Sequence, residues 1–122
     1  MAKSYRELVV WQKAMDYVDA VYAVQRLFPR EELYGLGDQL RRAAVSIPSN
    51  IAEGFGRETH ADFAHFLAQA RGSLYEVETQ LEIAHRNGYV ESLDELNYQS
   101  AEIAKILGTL IRKLRTSPTP NP

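Results

Sequence analysis

The feature that most constrains the fold is a proline inside an amphipathic helical pattern, in the segment Gln39–Arg57. Apolar residues recur at helical spacing on both sides of it: Leu40, Ala44, Ile47 and Ile51. Pro48 has no N–H and its ring crowds the carbonyl of Ala44, so the helix is predicted to be kinked or broken there. Three short side chains beside the proline can bond backbone groups that a break would free: Ser46, Ser49 and Asn50.

The rest of the chain also divides into helices. Ser4 and Glu7 have capping-box spacing and predict a first helix that ends at about Phe28, because Pro29 prevents continuation. The connection 29–37 has room for one helical turn. Three further helices are predicted at about 38–53, 59–86 and 92–114. Capping residues mark their ends: Gly54 and Gly56, Thr59 and Asp62, Asn87 and Gly88, and Ser92 and Glu95.

The predicted fold class is all-α, since no segment alternates like a strand. Long helices with short connections predict an antiparallel up-down four-helix bundle, as one domain over residues 1–115. Residues 116–122 are predicted to be a disordered Pro-rich tail. Small residues in the third helix are predicted to allow close helix approach: Ala64, Ala68, Gly72 and Ser73.

The first helix is apolar on two faces. One stripe is Leu8, Trp11, Met15, Val18 and Tyr22. The other is Val10, Ala14, Tyr17, Val21, Val24 and Phe28. A bundle helix needs one apolar stripe of about 100°. The surplus predicts either a broad core-facing surface or an interface with another subunit.

The net charge of −2 is unevenly distributed. Residues 1–57 carry eight Lys/Arg against seven Asp/Glu, residues 58–104 carry two against nine, and residues 105–122 carry four against none. The chain is therefore not basic overall, as many nucleic-acid-binding domains are. The pattern fits either one basic and one acidic surface or solvated faces that merely balance.

Several classes of protein are not expected. The chain has no Cys, which excludes disulfides, thiolate zinc sites and cysteine nucleophiles. No apolar run approaches the roughly 20 residues of a membrane span, and the first residues do not resemble a signal peptide. A cytoplasmic protein without a membrane partner is the expectation.

Metal and catalytic sites are also not expected. Glu82–His85 has the Glu-x-x-His spacing of di-iron bundles, and Asp62–His65 is a carboxylate variant. Both lie on one predicted helix, roughly 30 Å apart, so they cannot share a metal pair within a subunit. No nucleophile motif or phosphate-binding loop is present, which predicts a chain with no cofactor and no enzymatic activity.

A polar group surrounds the proline. Its members beyond the three short side chains are Arg41, Arg42, Glu53 and Arg57. The arginines could contact RNA phosphates or a partner protein, since a guanidinium suits phosphate and carboxylate. Alternatively, Arg42 pairs with Glu53 or Glu76 while the small side chains support the backbone at the proline.

Five blocks occur in an order typical of one family. They are QLRRAAVSIPSNIAEGFGR at 39–57, Leu8–Ala14, Phe28–Pro29 with Tyr34–Leu36, Gly72–Leu81, and Asn87–Tyr89. The chain thereby resembles the 23S rRNA intervening-sequence proteins, a family that includes the accessory protein of diversity-generating retroelements. The resemblance implies a four-helix bundle, assembly as a barrel-like homopentamer, and a non-catalytic RNA-associated or scaffold role.

Two kinds of partner therefore stay open. The first is structured RNA, bound by basic positions on one face of an oligomer: Arg41, Arg42, Arg57, Lys105, Arg112, Lys113 and Arg115. The second is a protein, bound through the acidic third helix or the helix-end loops of a scaffold that touches no nucleic acid.

Overall fold

The computed structural model describes residues 2–117. Four α-helices account for most of them: α1 (Val9–Gln25), α2 (Leu36–Phe55), α3 (His60–Arg86) and α4 (Asp94–Thr116). Two 3-10 turns, Tyr5–Glu7 and Arg30–Glu32, precede α1 and α2. The described residues contain no strand, so the all-α prediction is confirmed.

The helices pack as a bundle in which α2 lies against α1 and α3, and α4 lies against α3 and α1. Each helix contributes apolar side chains to one shared core, and the largest that are fully buried include Tyr17, Leu40, Ile47, Leu74 and Ile103. The connections between successive helices, residues 26–35, 56–59 and 87–93, are short, as in bundles of antiparallel neighbours.

The first helix begins later than predicted. The Ser4 hydroxyl accepts a hydrogen bond from the Arg6 N–H at 3.1 Å, but it caps only the 3-10 turn. Leu8 is extended, with ψ of 123°, and α1 begins at Val9. Ser4 therefore acts as a capping residue, but it caps the 3-10 turn Tyr5–Glu7 and not α1.

The second helix is not broken at Pro48. The helix continues through the proline from Leu36 to Phe55, which corrects the prediction of a break. Gly54 is also inside the helix and buried, so it does not end α2 as predicted. Pro48 is buried as well, although it supplies no N–H for a helical hydrogen bond.

The third and fourth helices agree more closely with prediction. Thr59 caps α3 by accepting from the Asp62 N–H at 3.1 Å, and Gly88 follows α3 with φ of +80°, which glycine adopts readily. The Ser92 hydroxyl accepts from the Asp94 N–H at 3.3 Å, at the start of α4.

The end of α4 bears on the predicted tail. Thr116, placed in that tail by the sequence, is the last residue of α4. Residues 118–122 of the predicted tail lie outside the described residues. No helix in the described range is long and apolar enough to cross a bilayer.

One hydrogen bond ties two connections of the bundle together. The Tyr89 hydroxyl donates to Glu32 Oε2 at 3.0 Å, and the other oxygen of Glu32 accepts from the Leu36 N–H at 3.2 Å. The hydrogen bond to this carboxylate raises the pKa of Tyr89. The pair joins the α1–α2 connection to the α3–α4 connection and fixes the start of α2.

Candidate partner-binding groove between α1 and α2

The polar side chains around Pro48 bond within their own helix. Three donors reach backbone carbonyls at 2.7–2.9 Å: Ser46 to Ala43, Ser49 to Val45, and Asn50 to Ser46. The carbonyl of Ala44 loses its helical donor because Pro48 has no N–H. None of the three side chains bonds that carbonyl within the described residues. These side chains therefore bond carbonyls near Ala44, and none of them replaces the hydrogen bond that the Ala44 carbonyl lacks.

An open groove runs along the outer surfaces of α1 and α2, and one part of it is apolar. This apolar part has a volume of about 350 Å³. Its lining is Tyr5, Trp11, Met15, Val18, Val45, Pro48, Ser49 and Ala52. Three of these residues belong to the first apolar stripe of α1, whereas most of the second stripe is buried in the core. The surplus apolar face predicted for the first helix is therefore the wall of this groove.

The groove continues into a basic part of about 530 Å³, which shares Val45 and Ser49 with the apolar part. The other residues that line it are Tyr22, Asp38, Arg41, Arg42 and Ser46. Asp38 Oδ2 accepts from Arg42 Nε at 2.9 Å, and Asp38 Oδ1 lies 3.7 Å from Arg41 Nη2. Two cations share one carboxylate, so this end of the groove carries net positive charge.

The two arginines differ in how firmly they are held. Arg41 Nη2 also donates to the Leu33 carbonyl at 3.0 Å, and its side chain is 23% exposed. The Arg42 side chain is 79% exposed and has one carboxylate partner. Arg41 therefore bonds the connection before α2 to the first turns of that helix. Arg42 is exposed and can contact a partner.

The ion pairs predicted for Arg42 are wrong. Glu53 accepts from Arg57 at 3.0 Å, and Glu76 accepts from Gln80 at 3.2 Å. Arg42 pairs instead with Asp38, one helical turn before it. The sequence contained this signal, because Asp38 and Arg42 have ion-pair spacing on a helix.

The basic candidate positions are distributed over α2, the residues that follow it, and α4. Arg57 lies beyond the end of α2, and Arg42 is thirteen residues before that end at Phe55, or roughly 20 Å at the helical rise. The Arg57 guanidinium lies over the Phe66 ring at 4.5 Å. The remaining four candidates are on α4 or in its last turns: Lys105, Arg112, Lys113 and Arg115. None of these four forms an ion pair with a carboxylate in residues 2–117.

The groove contains residues that sequence reasoning did not single out. Val45 and Asp38 were not among the predicted site residues, although both line the groove. Val45 is 42% exposed, which is more than the other apolar residues of α2 that line the groove. Its outward position was readable from the helical period, because the core positions of α2 lie on the opposite side.

One titratable side chain of α1 is buried in the core. Burial raises the pKa of the Tyr17 phenol well above its usual range, and the Glu78 carboxylate raises it further. This phenol is therefore neutral at physiological pH. Among the described residues, no three His, Asp or Glu side chains come together as a metal ligand set. The groove presents shape, apolar surface and positive charge, which are properties of a binding surface.

The chain is similar in sequence and in fold to known proteins. The model of the family described as 23S rRNA-intervening sequence protein matches residues 6–109. A crystal structure of a protein of unknown function from Bacteroides thetaiotaomicron VPI-5482, of the S23 ribosomal protein family, is similar in fold, with a TM-score of 0.77. It is 28% identical over 84% of this chain and 98% of that one. No curated protein matches this chain.

Proposed function

The chain belongs to the 23S rRNA-intervening sequence protein family, and we propose that it is a non-catalytic, oligomeric bundle that associates with structured RNA in the cytoplasm. The observation that carries the proposal is the basic end of α4. Arg112, Lys113 and Arg115 lie in its last turns, Lys105 lies two turns earlier, and no acidic residue follows Glu102 in the chain.

The basic end of α4 suits phosphate because its cations are not neutralised by neighbours. All four side chains belong to exposed residues, and none has a carboxylate partner among residues 2–117. Unpaired cations on a surface release counterions from RNA phosphates when they bind. By contrast, Arg41, Arg42 and Arg57 are paired with carboxylates. The α4 group is therefore the better phosphate-binding surface.

The test is binding to a structured RNA hairpin, measured by fluorescence anisotropy over a salt series. We expect affinity that falls steeply with salt, despite the acidic average of the chain. Changing both Arg112 and Lys113 to Gln should lower affinity and reduce the slope of log affinity against log salt by about 2. Arg26 and Arg30, both exposed and outside α4, give a control with the same loss of charge when changed to Gln. The control should keep the slope of the parent.

The apolar groove favours a second candidate function, the binding of a protein partner. Under this alternative the chain is a protein-interaction scaffold that touches no nucleic acid. Absence of hairpin binding at low salt, where the attraction is strongest, would overturn RNA association and leave the scaffold. Equal loss of affinity in the α4 variant and its control would instead remove α4 as the contact site.

The oligomer is proposed from the surplus apolar face of α1. Trp11, Met15 and Val18 line an open apolar groove, which is a surface that a second copy can bury. The mass of the purified chain, measured by light scattering, should be several times the 13.8 kDa of one chain. A monomer at micromolar concentration would contradict the oligomer.

A further inference from the structure

We infer that the α1–α2 groove of one copy of this chain receives the outer face of α3 from a second copy. This outer face consists of Tyr75, Glu78, Thr79, Glu82, Ile83 and Arg86, and it is called the α3 face below. The inference rests on the oligomer in the proposed function and specifies the two surfaces that meet. Three properties of the groove and the α3 face agree: apolar content, charge and length.

Both surfaces expose large apolar side chains. In the groove, Met15 is 39% exposed and Val45 is 42% exposed. On the α3 face, Tyr75 is 49% exposed and Ile83 is 44% exposed. Apolar groups exposed in a subunit are typical of surfaces that become buried in an assembly. The apolar side chains of the two surfaces can therefore bury one another.

The charges of the two surfaces are opposite. In the basic part of the groove, Arg41 and Arg42 share Asp38. The α3 face carries Glu78 and Glu82, and Glu82 Oε2 accepts from Arg86 at 3.1 Å. Glu78 forms no ion pair among the described residues. The exposed Arg42 of one copy and Glu78 of another are thus complementary, and such pairs fix the register of an interface.

The lengths also agree. Tyr75, Thr79 and Ile83 follow at steps of four residues, so they lie along one side of α3 over roughly 12 Å. The groove extends from Trp11 to Tyr22 along α1, which is roughly 16 Å. A helix with side chains at this spacing fits a groove between two other helices. The α3 face is therefore short enough to lie along the whole groove.

Joining two different surfaces has a consequence for the assembly. Each copy that binds through its groove still presents a free α3 face, and the reverse is also true. Such a head-to-tail contact continues until a ring closes or a filament grows. The assembly should therefore contain more than two copies, whereas a contact of the groove with itself would stop at a dimer.

The test uses two single variants that block one surface each. Val45→Lys places a charge in the groove, and Ile83→Lys places one on the α3 face, both at exposed positions outside the core. Each variant alone should have the mass of one 13.8 kDa chain by light scattering. Mixed in equal amounts, they should form a dimer that grows no further, because one intact groove meets one intact α3 face. Met15→Lys and Tyr75→Lys form a second pair if either variant fails to fold, as judged by circular dichroism.

Leu27→Lys is the matched control, because Leu27 is an apolar residue that is 68% exposed and lies outside both surfaces. It should keep the mass of the parent assembly. Variants that keep the parent mass would overturn the inference while the proposed oligomer stands. Variants that become monomers but do not combine when mixed would overturn the head-to-tail contact. A monomeric parent would overturn the oligomer itself, and with it this inference.

Discussion

Gly54, near the end of α2, and Gly72, in the middle of α3, have opposite surroundings. A Cβ on Gly54 would lie 2.7 Å from the Cβ of Phe66 and 3.0 Å from Cδ1 of Phe63. A Cβ on Gly72 would meet no atom within 4 Å. The sequence predicted the reverse, with Gly54 ending a helix and Gly72 allowing close approach. A glycine in a helix leaves room for a close approach of another helix. Whether a helix packs there depends on the tertiary structure, which the residue type alone does not show.

The largest effect is expected for Gly54→Ala. The added methyl group would overlap Phe66 Cβ, which cannot move without the α3 backbone, so α2 and α3 must separate. We expect the free energy of unfolding to fall by about 2 kcal/mol, because the strain exceeds the better helix propensity of Ala. Chemical denaturation at fixed protein concentration measures this change.

Gly56→Ala is the matched control for that prediction. Gly56 follows α2 with φ of −80°, and an added Cβ would lie no closer than 3.5 Å to another atom. It should change the free energy of unfolding by less than about 0.5 kcal/mol. Similar losses for the two variants would show that the contact with Phe66 does not cause the effect.

A smaller loss is expected for Gly37→Ala, at the start of α2. The new Cβ would lie 2.8 Å from the Glu32 carbonyl oxygen, which also accepts from the Gly35 N–H at 3.2 Å. The backbone of a connection can shift more easily than two packed helices can separate. We therefore expect the free energy of unfolding to fall by about 1 kcal/mol. The melting temperature should fall less than in Gly54→Ala. A loss larger than that of Gly54→Ala would place the tighter contact at the connection.

Most of the fold could be predicted because helix ends depend on local chemistry. Thr59 caps α3 through a bond to the third residue after it, and Gly88 ends α3 through its positive φ. The break predicted as one of two outcomes at Pro48 did not occur. The helix α2 continues through Pro48, which is buried, and burial depends on packing that no local pattern contains.

The candidate site was predicted less completely. The surplus apolar face of α1 was visible in its two stripes, and the arginines beside Pro48 were identified. The partner of Arg42 was not, because Asp38, Glu53 and Glu76 are all carboxylates and only the three-dimensional arrangement distinguishes them. The α3 face was present in the sequence as an acidic segment. Its apolar side chains became visible only when the core positions of α3 were known.

The smallest effect is expected for Gly72→Ala, and it has the opposite sign. Gly72 is exposed in the middle of α3 and an added Cβ would meet nothing within 4 Å, so only the backbone entropy changes. We expect the free energy of unfolding to rise by about 0.5–1 kcal/mol. Gly108→Ala, in α4 and equally free of contacts, should give a gain of the same sign. If Gly108→Ala stabilises the protein while Gly72→Ala destabilises it and lowers the assembled mass, then another copy covers the α3 surface at Gly72. The space around this glycine would then be open in one subunit and used in the assembly, and the contrast with Gly54 would hold only for the isolated chain.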